Sequence, residues 1–128
     1  MRLERLAYVD DDPDIREIAR FALVELGGLD VRCWSGGAAF LAAAHDAWMP
    51  QMVLLDLGMP GLSGAEVVAA MRRDPTLRTV PVLVLTAVPD PARAVEGLGG
   101  VAGWLAKPFD PLRLAAAVRA VWVGREAQ

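Results

Sequence analysis

The sequence predicts an α/β domain built on an open, doubly wound sheet of five parallel strands with helices on both faces. Three observations carry this expectation. Short apolar runs alternate with helix-like stretches, and the alternation repeats five times. The central runs Met52-Val53-Leu54-Leu55 and Val82-Leu83-Val84-Leu85 are continuously apolar, as strands buried on both faces are. Aspartate followed by proline recurs where helices should start, at Asp12-Pro13, Asp90-Pro91 and Asp110-Pro111. Five units are too few for a closed eight-stranded barrel, so the sheet stays open.

Each element has its own signal. Leu6-Ala7-Tyr8-Val9 is short and apolar, a first buried strand. Behind the Asp12 cap, Ile15, Ile18, Ala19, Ala22, Leu23 and Leu26 follow helical spacing, and Gly27-Gly28 stops the helix. Val31 to Trp34 alternates less cleanly, as an edge strand does. Gly36 to Ala47 is alanine-rich, with Phe40, Leu41 and Ala44 on one face, and predicts a second helix. The third strand is Met52 to Leu55. After it, Ser63-Gly64-Ala65-Glu66 is a capping box, and the helix it opens should end near Asp74, because Pro75 disfavours the α conformation before it. The fourth strand is Val82 to Leu85, and the helix capped by Asp90 should be short because Gly97, Gly99 and Gly100 follow closely. Ala102 to Ala106 predicts the fifth strand, and a last helix runs from Asp110-Pro111 to about Val123. No linker or low-complexity tract breaks the pattern, so a single domain over residues 1–128 is expected, with its core from about Leu6 to Trp122.

Composition narrows the function. Hydrophobic residues make up 55% of the 128 and charged residues 23%, a globular balance. A net charge of −3 gives no general affinity for nucleic-acid backbones. No run approaches the ~18 apolar residues of a membrane span. Acidic residues arrive too early for a signal peptide, and the single Cys33 forms no internal disulfide. A reducing, cytoplasmic setting is therefore expected.

The polar residues are informative because of where they stand. In a parallel sheet the carboxyl ends of the strands share one edge, where ligands bind. Asp10 and Asp11 follow the first strand, Asp56 the third, Thr86 the fourth, and Lys107 the fifth. Crowded carboxylates repel unless a cation sits among them, and an all-oxygen set suits Mg²⁺ or Mn²⁺. With a carboxylate nucleophile, a metal, an ammonium and a hydroxyl, the edge holds what in-line phosphoryl transfer to an aspartate needs. Asp12, by contrast, reads as a helix cap. His45 reads as a solvated surface residue, and Cys33 as a small hydrophobe.

Four segments in order, Tyr8-Val9-Asp10-Asp11-Asp12, Leu54-Leu55-Asp56-Leu57-Gly58-Met59-Pro60-Gly61, Leu85-Thr86-Ala87 and Leu105-Ala106-Lys107-Pro108-Phe109, resemble a response-regulator receiver domain of two-component signalling. The resemblance covers nearly the whole chain and implies a CheY-like, flavodoxin-like sheet of order 2-1-3-4-5. It implies that Asp56 is the phosphoacceptor, that Asp11 ligates the metal, and that Asp10 assists, often through water. It further implies a metal contact from the Gly58 carbonyl and a pairing of Lys107 with the acceptor. Thr86 and Trp104 match the family's switch pair. The implied donor is the phosphohistidine of a sensor histidine kinase or a phosphotransfer protein. The chain departs from the family pattern at Trp104, where Tyr or Phe is common, and at Val88, where polar residues are frequent.

The last helix carries more apolar surface than the sheet needs, with Arg113 and Arg119 its only charges before Val123. Either alanine simply favours helix there or that side meets a partner. The resemblance implies the partner, a downstream protein or a second copy, because the face of fourth helix, fifth strand and fifth helix is the one family members commonly use for docking or dimerisation. Two rival functions compete with this reading. A haloacid-dehalogenase-like phosphohydrolase would carry a second acid at the position of Gly58, so the chain is not expected to be an enzyme beyond its own aspartyl phosphorylation and dephosphorylation. A receiver-like module that binds without phosphorylation is the alternative reading.

Overall fold

The computed structural model describes residues 1–43 and 47–126, the side chain of 126 excepted. In chain order the elements are β1 (Arg5–Val9), α1 (Pro13–Arg20) continuing into a π-helical segment (Phe21–Leu26), β2 (Asp30–Trp34), α2 (Gly37–Ala43) and β3 (Met52–Asp56). They continue with α3 (Gly64–Arg73), β4 (Val82–Thr86), α4 (Pro91–Ala94), β5 (Val101–Ala106) and α5 (Leu114–Glu126). The five strands form one sheet in the order β2-β1-β3-β4-β5, and every pairing is parallel.

Strand side chains alternate between faces, so the sheet divides the interior into two cores. Leu6, Tyr8, Leu54, Leu83 and Leu85 point to the face covered by Ala19, Ala22 and Leu23 of the first helix and by Leu114, Val118 and Trp122 of α5. Ala7, Val9, Val53, Leu55, Val82 and Val84 point the other way, against Phe40 of α2 and Val67, Val68 and Met71 of α3. On α5 the buried residues fall at i, i+4 and i+8, one stripe.

The helix caps are those the sequence indicates, with differences at the ends. Asp12 accepts from the amides of Asp14 and Ile15. Ser63 and Glu66 form a reciprocal capping box. The backbone of Asp74 is extended, the conformation a following proline requires. In the first helix, Ile18 and Leu26 are about half exposed instead of buried. From Phe21 the hydrogen bonding runs i to i+5, so each turn takes in an extra residue and Leu26 drifts off the inner face. Ile18 instead joins Ile15, Pro108, Phe109 and Pro111 around a shallow apolar hollow. The described part of the second helix is Gly37–Ala43; Ala44 and His45, placed in it by the sequence, lie outside the described residues, and Ala47 is in a bend. Asp110 initiates a turn rather than a helix, its carboxylate accepting from the Leu112 amide, so α5 starts only at Leu114 and continues to Glu126.

Arg72 organises the opposite edge of the sheet. Its guanidinium donates to five carbonyl oxygens, those of Leu77, Arg78, Val80, Gly99 and Gly100, at 2.6 to 3.4 Å. A guanidinium has five N–H donors, and all are used. Gly100, with φ +75°, packs against it so closely that a Cβ would lie 2.5 Å from the guanidinium carbon. The segments leading into β4 and β5 are thereby tied to α3.

Leu54→Ala, which empties a fully buried site at the sheet centre, is expected to cost about 2–5 kcal/mol, read as a lowered urea midpoint. Arg72→Met should cost roughly 2 kcal/mol by the same measurement, because charge-assisted bonds are lost from partly hydrated carbonyls.

Candidate functional site

The carboxyl edge of the sheet opens into a cavity of about 490 Å³ bordered by Asp11, Asp12, Asp56, Gly58, Thr86, Val88 and Lys107, with Leu57 and Ala87. Each functional side chain is the first or second residue beyond a strand, or the last within it. Asp56 ends β3 and Thr86 ends β4. Lys107 follows β5, its amide held by the Thr86 carbonyl at 2.9 Å, and its peptide bond to Pro108 is cis. Asp10 follows β1, and its amide donates to the Trp34 carbonyl of β2.

Lys107, the only lysine of the chain, places its ammonium 3.1 Å from Asp10 Oδ2 and 3.1 Å from Asp56 Oδ2. A compact ammonium with three rotatable donors can be divided between two carboxylates in this way, as a planar guanidinium fork cannot. Asp56 Oδ1 accepts from the Gly58 amide at 3.0 Å. The Thr86 hydroxyl accepts from the Val88 amide at 3.2 Å, leaving its own proton to be donated.

Asp10 is placed differently from the other acids. It is fully buried and lies beneath the cavity rather than on its wall. One of its oxygens accepts from the Asp12 amide at 3.0 Å; the other accepts from the Tyr8 hydroxyl at 2.9 Å as well as facing Lys107. Its carbonyl oxygen accepts from Arg16. Asp11, in contrast, is exposed.

Ligand oxygens of Asp10, Asp11 and Asp56 all lie within 4.8 Å of one another. An all-oxygen set with an open side fits a hard, partly hydrated divalent cation such as Mg²⁺. Electrostatics point the same way. Burial, with the charge of Asp10 adding to it, holds the Asp56 carboxyl above its ordinary range, although the Gly58 amide and Lys107 pull it down. Burial also opposes the charge on Lys107, but the bonds to Asp56 and Asp10 outweigh it and raise its pKa. One ammonium thus only partly offsets the crowded acids. Burial, and then the charge and hydrogen bond of Asp10, push the Tyr8 phenol far above its usual value, which keeps it a donor.

The residues expected from sequence, Asp10, Asp11, Asp56, Gly58, Thr86 and Lys107, therefore meet at one edge. Trp104 does not join them in the cavity wall; it stands on the outward-facing register of β5 with 40% of its surface exposed. Tyr8 and Arg16 were not anticipated as site residues. For Tyr8 a signal existed: a lone hydroxyl in an aliphatic strand, two residues before Asp10 and hence on the same face. Cys33 is half-buried against the first core, and burial raises its thiol pKa.

Comparison with known proteins agrees with this geometry. Residues 6–119 match the response regulator receiver domain family. The chain is 37% identical over 118 residues to the DNA-binding response regulator MtrA of Mycolicibacterium smegmatis, covering 91% of this chain and 50% of that protein. It is 38% identical to the probable transcriptional regulator ycf27 of Guillardia theta, covering 92% of this chain and 45% of the relative. Among solved structures, the chemotaxis response regulator CheY4 of Vibrio cholerae superposes with a TM-score of 0.81 at 32% identity, over 93% of this chain and 98% of that one. The chain belongs to the response regulator receiver domain family. It spans about half the length of the curated relatives it matches. No helix among the described residues is long and apolar enough to cross a membrane.

The raised carboxyl of Asp56 sets the sign of a pH effect. The folded chain holds that proton to higher pH than the unfolded chain, so stability falls as pH rises from about 3.8 through the raised folded value. Without metal at neutral pH, Asp56→Asn should therefore melt above wild type, and the difference should vanish well below pH 4. Differential scanning calorimetry in EDTA checks this. An unchanged or lowered midpoint at neutral pH would show that the acids are already neutralised by the chain.

Proposed function

We propose that the domain is a phosphoacceptor switch in which Asp56 takes a phosphoryl group from a kinase or phosphotransfer phosphohistidine. The observation that carries this reading is Asp56 itself, buried but bordering an open cavity, with an ammonium at 3.1 Å and further carboxylates beside it. In this reaction a carboxylate oxygen of Asp56 bonds to phosphorus as the donor P–N bond breaks, and its electron pair leaves with the imidazole. Lys107, already in contact with Asp56, neutralises the charge of the acyl phosphate. The Thr86 hydroxyl, whose proton is uncommitted, donates to a phosphoryl oxygen. Asp11, Asp56 and the Gly58 carbonyl are the protein groups that would hold Mg²⁺ or Mn²⁺, with Asp10 supporting from beneath. When bound, the cation supplies positive charge to the phosphoryl oxygens.

The phosphorylated state is read by a protein partner or a second copy on the face of α4, β5 and α5, in cytoplasm. Support for that surface comes from Trp104 of β5 and Val123 of α5, large apolar residues exposed on those elements. Trp104 would act with Thr86 as the element that changes when Asp56 is modified. The chain itself performs only its own aspartyl phosphorylation and dephosphorylation.

Intact-mass measurement after incubation with acetyl phosphate tests the acceptor. Wild type should gain one phosphoryl group when Mg²⁺ is present and none in EDTA. Asp56→Asn should gain none, and Lys107→Met should be strongly slowed. A wild type that takes no phosphoryl group from acetyl phosphate or any kinase would instead favour a module that binds its partner without phosphorylation.

A further inference from the structure

We propose that Tyr8 is a positioning residue for the acidic centre, its hydroxyl fixing the Asp10 carboxylate so that it supports a divalent cation and shares Lys107 with Asp56. The inference rests on the reading of this edge as a cation-assisted phosphoacceptor site. Strand periodicity supplies the geometry, because Tyr8 precedes Asp10 by two residues and so lies directly under it on the same face of the sheet. The Tyr8 ring is fully buried, in the core that also holds Leu54 and Leu85, and only its hydroxyl emerges at the polar edge.

The acceptor it has found is what sets Tyr8 apart from an ordinary core tyrosine. A buried hydroxyl can be satisfied by any nearby carbonyl. Here it donates to a charged oxygen, Asp10 Oδ2, at 2.9 Å, and the same oxygen faces Lys107 at 3.1 Å. The remaining oxygen of Asp10 accepts from the Asp12 amide. Both oxygens of a fully buried carboxylate are thus engaged by donors of the chain, and its orientation is determined.

Without the hydroxyl, Lys107 would be the only side-chain donor left to Asp10 Oδ2 among the described residues. The ammonium would be drawn away from Asp56 and the carboxylate would be free to turn. Groups that orient metal ligands without touching the ion commonly govern affinity by 10-fold or more.

Mg²⁺ titration followed by tryptophan fluorescence tests this, on wild type and Tyr8→Phe, each alone and with Asp10→Ala. Phenylalanine fills the same volume, so the ring keeps its packing role. The expected result is binding weakened by about 10-fold in Tyr8→Phe, with no further loss when Asp10→Ala is already present. Binding within about twofold of wild type, or an equal loss in both backgrounds as packing alone would cause, overturns the proposal. Should Tyr8→Phe fail to fold, the wild type decides. Tyr8 is the only tyrosine of the chain, so its buried hydroxyl proton gives a single resonance. That resonance should shift on adding Mg²⁺ and saturate with the binding curve; an unmoved resonance overturns the proposal. A wild type that binds no Mg²⁺ overturns both this inference and the reading beneath it. One that binds Mg²⁺ yet takes no phosphoryl group overturns only the role of Asp56 as acceptor.

Discussion

The geometry of the site depends on one ammonium held between two carboxylates. Asp10, Asp56 and Lys107 come from β1, β3 and β5, so the contacts at 3.1 Å draw together the centre and one margin of the sheet. Neither contact is an optional surface pair. Asp10 is fully buried, and a buried carboxylate left without its cation would be strongly destabilising. The parallel sheet makes the convergence possible, because its strands all deliver their last residues to the same edge. The Lys107 amide, bonded to the Thr86 carbonyl, continues the β4–β5 ladder up to the site and aims the lysine across it.

The balance is deliberately incomplete in physical terms. Lys107 contacts two carboxylates with a third beside them, and burial, with the charge of Asp10 adding to it, raises the proton affinity of Asp56 despite the Gly58 amide and Lys107. A site of this kind is stabilised by added positive charge. The carboxyl edge of the sheet is open and electrostatically strained. The amino edge is the reverse: Arg72 satisfies five carbonyls and fastens the segments entering β4 and β5.

Much of this was legible from the residues. Continuous apolar runs identified β3 and β4, and the position of Asp56 after Leu55 needed no structure to stand out. The Asp12 and Ser63 caps follow from local chemistry, which sequence expresses directly. Three things were not legible. The π segment at Phe21 keeps a helical pattern of hydrophobicity while changing the pitch, so Leu26 reads as buried when it is not. Asp110-Pro111 has the signature of a helix start, but the carboxylate bonds the Leu112 amide and forms a turn first. The partners of Arg72 lie in two loops, one five to eight residues further on and the other 27 and 28 residues further on, and nothing in the arginine itself announces five carbonyls.

The division of the interior by the sheet has a consequence for how the protein tolerates change. Leu54 and Leu55 are chain neighbours, yet they point into different cores. Substitutions at the two should have nearly additive energetic effects, since they share no side-chain neighbours across the sheet. Leu54 and Leu85, far apart in the chain, belong to one core and should be coupled. Each face can therefore be repacked independently of the other, with the backbone ladder between them as the common frame.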